Sequence, residues 1–311
     1  MAQPARQAFH WRAPVSGILG FLADVPGGFA ALAPAALAGL VTEQCGFLNI
    51  ALEGLVMAGA FAYIAVGSLF GPWAGLLAAL AVPALLAGLA DLLARRGGAD
   101  SFVVGLGLNL LVPGLVPILS YSLFATKGIV AAAALQSARP FSALAVQLPL
   151  IGPLVFGGRA TDYLVGLGLV VTILLLKHTD FGLRNRALGM NPDTLRMAGV
   201  NPHAVRRNAW LLSGALAGLS GLSLAASIGA WVPNISAGRG WIALVAVFLG
   251  GKRLGGTLLA SLSFTVLLAA ASRAQLFAAL PAELLTALPY LLTAIVVMAG
   301  AAHKRRRNPV R

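Results

Sequence analysis

Residues 182–199 read GLRNRALGMNPDTLRMAG, a basic and polar island in a chain that is otherwise strongly apolar. Within it lies a tiny capped helix. Asn191 is placed to N-cap, Pro192 suits the first helical turn, and Gly199 can close the end. A second Asn-Pro pair, Asn201-Pro202, then opens the next helix. A short, rigid helix held on one face of a bilayer is something a partner can push. That points to a transporter subunit moved by another protein.

Around the island, 59% of the 311 residues are apolar and only 10% are charged, with a mean hydropathy of +0.89. Soluble domains do not have this composition; polytopic helical membrane proteins do. Six stretches carry no charge over a membrane-spanning length: 25–42, 54–90, 101–126, 208–238, 254–272 and 284–302. β-barrel strands would show short alternating segments instead. The expected fold is therefore all-α: a single transmembrane domain over 1–311, with about 8–10 membrane segments, some broken or re-entrant. Spans are expected at 25–41, 49–70, 73–93, 101–123, 161–177, 208–229, 240–251, 254–272 and 282–300. The long segment 124–160, with Pro140, Pro149 and Pro153, is expected to be a loop on the outer face.

The net charge of +13 does not point to nucleic acid, because the basic residues gather at the ends of apolar spans. They cluster at Arg95-Arg96, at Lys177 to Arg207, at Lys252-Arg253 and at Lys304 to Arg307. The positive-inside rule puts all four clusters in the cytoplasm, including the loop 178–207 that holds the capped helix. Three spans before Arg95 would leave the N-terminus outside, whereas Arg6 and Arg12 favour inside; a re-entrant or interfacial segment at 13–23 would reconcile the two. The apolar run 13–23 is too short for a convincing signal peptide and continues into the first span. Cys45 is the only cysteine, so no intrachain disulfide forms. His10, His178, His203 and His303 have no metal-ligand spacing.

Two charges fall inside the apolar regions. Glu53 lies in LNIALEG, 48–54, and Arg239 in VPNISAGRG, 232–240. Both segments run Asn-Ile, small residues, a charge, then an apolar span. By alternation the two spans run in opposite directions, the pattern of inverted repeats with interrupted helices around a midplane site. Two readings are open. The charges face a polar cavity or a partner, because a charge in hydrocarbon costs a few kcal/mol or more, or they sit at headgroup level and snorkel. Asn109, in VVGLGLN, either bonds a neighbouring helix or lines the pathway. Gly214-x-x-x-Gly218 reads as a close helix contact. No phosphate-binding loop is present: GGKRLGG, 250–256, lacks the spacing and the Ser/Thr. Nor is there a nucleophile elbow or a zinc-protease motif. An ATP-driven process would need its ATPase on another chain, with ATP bound there and no cofactor in this one.

Four segments carry a resemblance to a known family: TEQCGFLNIALEGLVMAGAF (42–61), VVGLGLNLL (103–111), FGLRNRALGMNPDTLRMAGVN (181–201) and VPNISAGRGWIALVAVFLG (232–250). The chain resembles the permease subunits of ABC importers of the branched-chain amino acid, ribose and nucleoside superfamily, most of all the shorter permease of bacterial general nucleoside uptake systems. Glu43, Gly46, Asn49, Ile50, Glu53 and Gly54 satisfy the E-x-x-G-x-x-N-I-x-x-E-G string, while Gln44-Cys45 departs from the usual Arg-Ala. The resemblance implies a bacterial inner-membrane permease without an ATPase of its own. Its partners would be two cytoplasmic ATPase subunits or domains, a second and longer permease, and an external binding lipoprotein or periplasmic protein. Gly189, Asn191, Pro192, Leu195, Met197, Ala198 and Gly199 would form the coupling helix, with Leu195 and Met197 on its docking face. Nucleosides are neutral and polar, so Asn49, Asn109 and Asn234 are the candidate pathway residues, framed by Glu53 and Arg239. The rivals are simple sugars or riboflavin-like compounds as cargo, or an ion-coupled carrier that works alone.

Overall fold

The computed structural model describes residues 13–141 and 151–277. The chain is built from helices: α1 (Ala13–Gln44), α2 (Leu52–Phe70), α3 (Pro72–Gly97), α4 (Ser101–Phe124), α5 (Ile151–Phe156), α6 (Ala160–His178), α7 (Asp180–Met190), α8 (Pro192–Met197), α9 (Pro202–Ile228), α10 (Arg239–Leu249) and α11 (Leu254–Phe277). Two short strands, β1 (Val130–Ala131) and β2 (Ala230–Trp231), pair antiparallel.

Among the described residues, seven helices are long and apolar enough to cross a bilayer. They match seven of the nine expected spans. Of the remaining two, the one expected at 240–251 is the half-length α10, and 282–300 lies outside the described residues. Residues 13–23 are not a separate re-entrant or interfacial segment; they are the opening turns of α1. The prolines do not break these spans. Pro26 and Pro34 lie inside α1, Pro83 inside α3, and Pro113 and Pro117 inside α4, as packed membrane helices tolerate.

Ion pairs set the direction of travel. Asp24, early in α1, bridges Arg273, late in α11 (2.5 Å), and Glu43, at the other end of α1, bridges Lys252 just before α11 (2.5 Å). The two helices are therefore antiparallel, and α1 runs toward the end of the molecule that carries Arg95, Arg96, Arg206 and Lys252. At the opposite, far end sit β1, β2 and the segment between α4 and α6. That segment, expected as a plain loop, contains β1, a 3-10 turn at Ala133–Leu135 and α5.

The core is α1, α2 and α9, with 78%, 78% and 72% of their apolar windows buried, against 22–33% for α3, α4, α6 and α11. Glycine allows the tightest approaches. Gly214 and Gly218 lie on the backbone of α3 at Pro83 and Ala79, where a Cβ has no room, and Gly221 lies likewise on Val56 of α2. The contacts also repeat with inverted sense. α1, α2 and α3 correspond to α9, α10 and α11: α9 packs on α2 and α3 as α1 packs on α10 and α11, and α1 meets α9 across the middle. Each helix runs opposite to its counterpart.

Candidate functional site: two helix beginnings joined head to head

The chain leaves α1 at the basic end and climbs back through residues 45–51 before α2 begins. Gly46 makes this reversal with φ 84°, and Phe47 N–H donates to the Thr42 carbonyl (3.0 Å). From the far end, residues 232–238 descend in the same irregular way before α10 begins. The N-termini of α2 and α10 therefore meet inside the bundle. Each end has unsatisfied N–H groups and partial positive charge, and the polar residues singled out in the sequence supply the acceptors.

Asn49 is fully buried. Its Oδ1 accepts from Ala51 N–H (3.0 Å) and its Nδ2 donates to Ser213 Oγ on α9 (3.0 Å). Asn109, on α4, accepts from Gly54 N–H (2.8 Å) and donates to the Ile50 carbonyl (2.7 Å). Glu53, in the first turn of α2, reaches across the break: Oε1 accepts from Ser236 Oγ (2.5 Å) and Gly238 N–H (2.8 Å), and Oε2 from Gly240 N–H (2.7 Å). Gly240 presses so closely on the Glu53 backbone that no side chain fits there. Arg239 opens α10 and donates to the Ser236 carbonyl (3.2 Å). The structure thus joins Asn49, Glu53, Asn109 and Arg239. Asn234 stands in the descending loop with φ 58°; its side chain is exposed, and among the described residues its amide takes no part in the bonds across the break.

At the basic end, α8 has the caps its sequence announces. Asn191 Oδ1 accepts from Asp193 N–H (2.9 Å), and Asn201 caps α9 through His203 N–H (2.9 Å). Gly199 has φ 72°; its N–H donates to the Arg196 carbonyl (3.0 Å) and Val200 N–H to the Leu195 carbonyl (2.9 Å), the paired bonds of a Schellman closure. One expectation changes. Leu195 is buried beneath α8, because a single turn-and-a-half needs one apolar anchor to its own chain. The free face instead carries Met197, 82% exposed, and Met190 beside it, 85% exposed.

Beneath α8, α7 is fastened to the end of α1. Asn185 Nδ2 donates to the Val41 carbonyl (2.8 Å), and Gly189 lies on the Gln44 carbonyl and on Gly46 with no space for a Cβ. Sequence reading missed the network alongside. The Arg206 guanidinium stacks on Phe47, 3.8 Å from the ring centroid, pairs with the buried Asp91 (2.6 Å) and donates to Ser101 Oγ (2.9 Å); Arg95 also pairs with Asp91 (2.9 Å). The i,i+4 spacing of Asp91 and Arg95 was the only local signal of it. Cys45 is enclosed here, 1% exposed, and burial pushes its thiol up to about 12 despite the pull of Arg206.

A model of the family described as branched-chain amino acid transport system / permease component matches residues 22–299. Over 294 residues the chain is 30% identical to the guanosine ABC transporter permease protein NupQ of Bacillus subtilis (strain 168), covering 88% of this chain and 90% of that one. It is 32% identical over 275 residues to the nucleoside ABC transporter permease protein NupC of Lactococcus lactis subsp. cremoris (strain MG1363), covering 84% and 86%. Among solved structures, it shares its fold with a chain of an ABC transporter assigned to the metal-chelate type, in an inward-facing conformation. The TM-score is 0.53 at 19% identity, over 94% of this chain and 91% of the other.

Proposed function

The chain belongs to the branched-chain amino acid transport system / permease component family, and from that premise we propose that it is the permease subunit of an ATP-driven importer of nucleosides. It lies in a bacterial inner membrane, where it pairs with a second, longer permease. ATP binds on two cytoplasmic ATPase partners, and an external binding protein delivers the cargo. The nucleoside assignment is supported by the two relatives named for guanosine and nucleoside transport.

The observation that carries the mechanism is the mechanical chain from α8 to the helix break. α8 is stiff because both ends are capped, and it presents bare Met190 and Met197 to water, where adaptable apolar side chains serve a partner surface. A push on α8 passes to α7, and through Asn185 and Gly189 to the end of α1. Residues 45–51 carry it on to the start of α2, and Glu53 ties that start to α10. Two half-helices joined head to head can shift as a unit between two arrangements, and nucleotide-dependent movement of the ATPases biases that equilibrium.

The test is Met190→Asp with Met197→Asp. The doubly substituted permease should reach the membrane at the wild-type level, lose co-purification of the ATPase and lose uptake of radiolabelled guanosine. Normal uptake and normal ATPase association would remove the coupling role. Wild-type cells that accumulate ribose and no nucleoside would move the cargo to the sugars.

A further inference from the structure

Buried Asp91 already has a partner one turn away on α3, in Arg95 (2.9 Å). Arg206 is a second cation on the same carboxylate, so the junction holds two guanidiniums for one acid. Neutralising Asp91 does not call for both, and the Arg206 side chain, 14% exposed, is costly to enclose. What the second cation adds is reach. Its Nε donates to Asp91 on α3, its Nη2 donates to Ser101 Oγ at the first residue of α4, and its face covers Phe47 in the irregular segment 45–51. A planar guanidinium with several fixed donors can hold three elements at once, which a single ammonium cannot.

Arg206 is also stiffly joined to α8. Gly199 and Val200 close α8 on its own carbonyls, Asn201 caps α9 through His203 N–H, and Ala204 N–H donates to the Asn201 carbonyl (3.1 Å). Arg206 follows two residues later in the same turn, so no slack loop separates it from α8. On its other side, α4 is gripped at Ser101 by Arg206 and at Asn109 by the start of α2. Eight residues put these grips about 12 Å apart along one helix. Elsewhere α4 is loosely enclosed: 22% of its apolar window is buried, and Val103, Leu106 and Leu110 are exposed. Among the described residues, nothing crowds Gly107 or Gly114. α4 is thus a lever held along one side and free on the other.

We propose that Arg206 is a positioning residue for transport: it makes the basic end of α4 follow α8 and keeps α4 in step with the helix break. Asp91 anchors the guanidinium, and Ser101 and Phe47 are the two groups it steers. This rests on the importer reading above and adds α4 as a second moving part, reached through α9 instead of through α7 and α1.

Ser101→Ala tests this without threatening the fold, because Asp100, not Ser101, caps α4. In the assembled transporter in nanodiscs, the variant should still hydrolyse ATP but take up less guanosine per ATP, by roughly threefold, the worth of one hydrogen bond. Its thermal midpoint should stay close to wild type. Phe47→Leu, which keeps apolar bulk and removes the stacked ring, should behave alike. Spin labels read the movement itself, with native Cys45 enclosed and unlabelled. Labels at Phe102→Cys on α4 and His203→Cys on α9 should keep one separation with and without trapped ATP, while the separation between Phe102→Cys and Arg253→Cys should change. Adding Ser101→Ala should broaden the first separation and make it depend on nucleotide. A wild-type background in which the Phe102–His203 separation shifts with nucleotide, or in which neither separation shifts, would overturn the proposal. So would a Ser101→Ala complex with wild-type uptake per ATP, or one that loses uptake only in step with its thermal midpoint. A wild-type complex that hydrolyses ATP and moves no guanosine fails the cargo assignment instead, and the label separations then decide the role of Arg206 by themselves.

Discussion

At position 53 a carboxylate takes three donors from the opposite half of the molecule. Its role is therefore to close the beginning of α10, and the choice left open by the sequence, cavity or headgroup level, resolves to an interhelical cap. Glu53→Leu removes a charge, which by itself eases membrane insertion by a few kcal/mol. It also strands Gly238 N–H, Gly240 N–H and Ser236 Oγ at about 1–3 kcal/mol each. The expected outcome is normal insertion, a clearly lower thermal midpoint for the purified complex, and lost uptake. Glu53→Gln keeps one acceptor oxygen and should fall between. A Glu53→Leu complex as heat-stable as wild type would show that the cap contributes nothing. The sequence made the charge conspicuous but not its partners, because Ser236 and Gly240 are ordinary residues in a polar turn, brought to Glu53 only by tertiary packing.

Among the elements, α8 was the most legible, since capping is a local property written in Asn191, Pro192 and Gly199. Which side of α8 faces outward was not: six residues make too few turns to show a periodicity, so Leu195 and Met197 looked alike. Gly199→Val separates strain from contact, because open space surrounds Gly199 and the only penalty is a left-handed β-branched residue, roughly 1–2 kcal/mol. That variant should keep its expression level, show faster proteolysis at the α8–α9 turn, and couple ATP hydrolysis to uptake poorly. The junction of α3, α4 and α9 makes a second prediction. Arg206→Ala leaves buried Asp91 with Arg95 alone and uncovers Phe47, a loss of about 3 kcal/mol, the low end for a buried pair that loses one partner. Arg206→Lys should recover little, since an ammonium cannot stack on Phe47 while bonding both Asp91 and Ser101. Chemical denaturation of the two variants checks this; a fully stable Arg206→Lys would reduce the network to simple charge pairing.

For the molecule as a whole, composition and the clusters of Lys and Arg were enough to read an all-helical membrane bundle and its basic face. The inverted repeat was only hinted at by two Asn-Ile pairs, because packing preserves the helix arrangement while most surface residues of the two halves differ. The orientation can be tested with a membrane-impermeant thiol reagent on intact cells. Lys127→Cys should label, and Arg96→Cys, Arg196→Cys and Arg253→Cys should not. Native Cys45 can stay in place, since its enclosed thiol holds almost no thiolate at neutral pH and should react only after denaturation. Labelling of Arg196→Cys would reverse the orientation. The bond between the two halves also has a consequence for synthesis. Gly240 lies 187 residues after Glu53 in the chain. At roughly 5–20 residues per second, a ribosome takes about ten to forty seconds to supply it. For that interval the nascent α2 carries an acid with no cap to hold, so it depends on the insertion machinery to shelter it. A chain truncated before α10 keeps that exposed acid for good. In a pulse-chase experiment it should be cleared quickly by membrane proteases, and the same fragment with Glu53→Leu should persist longer.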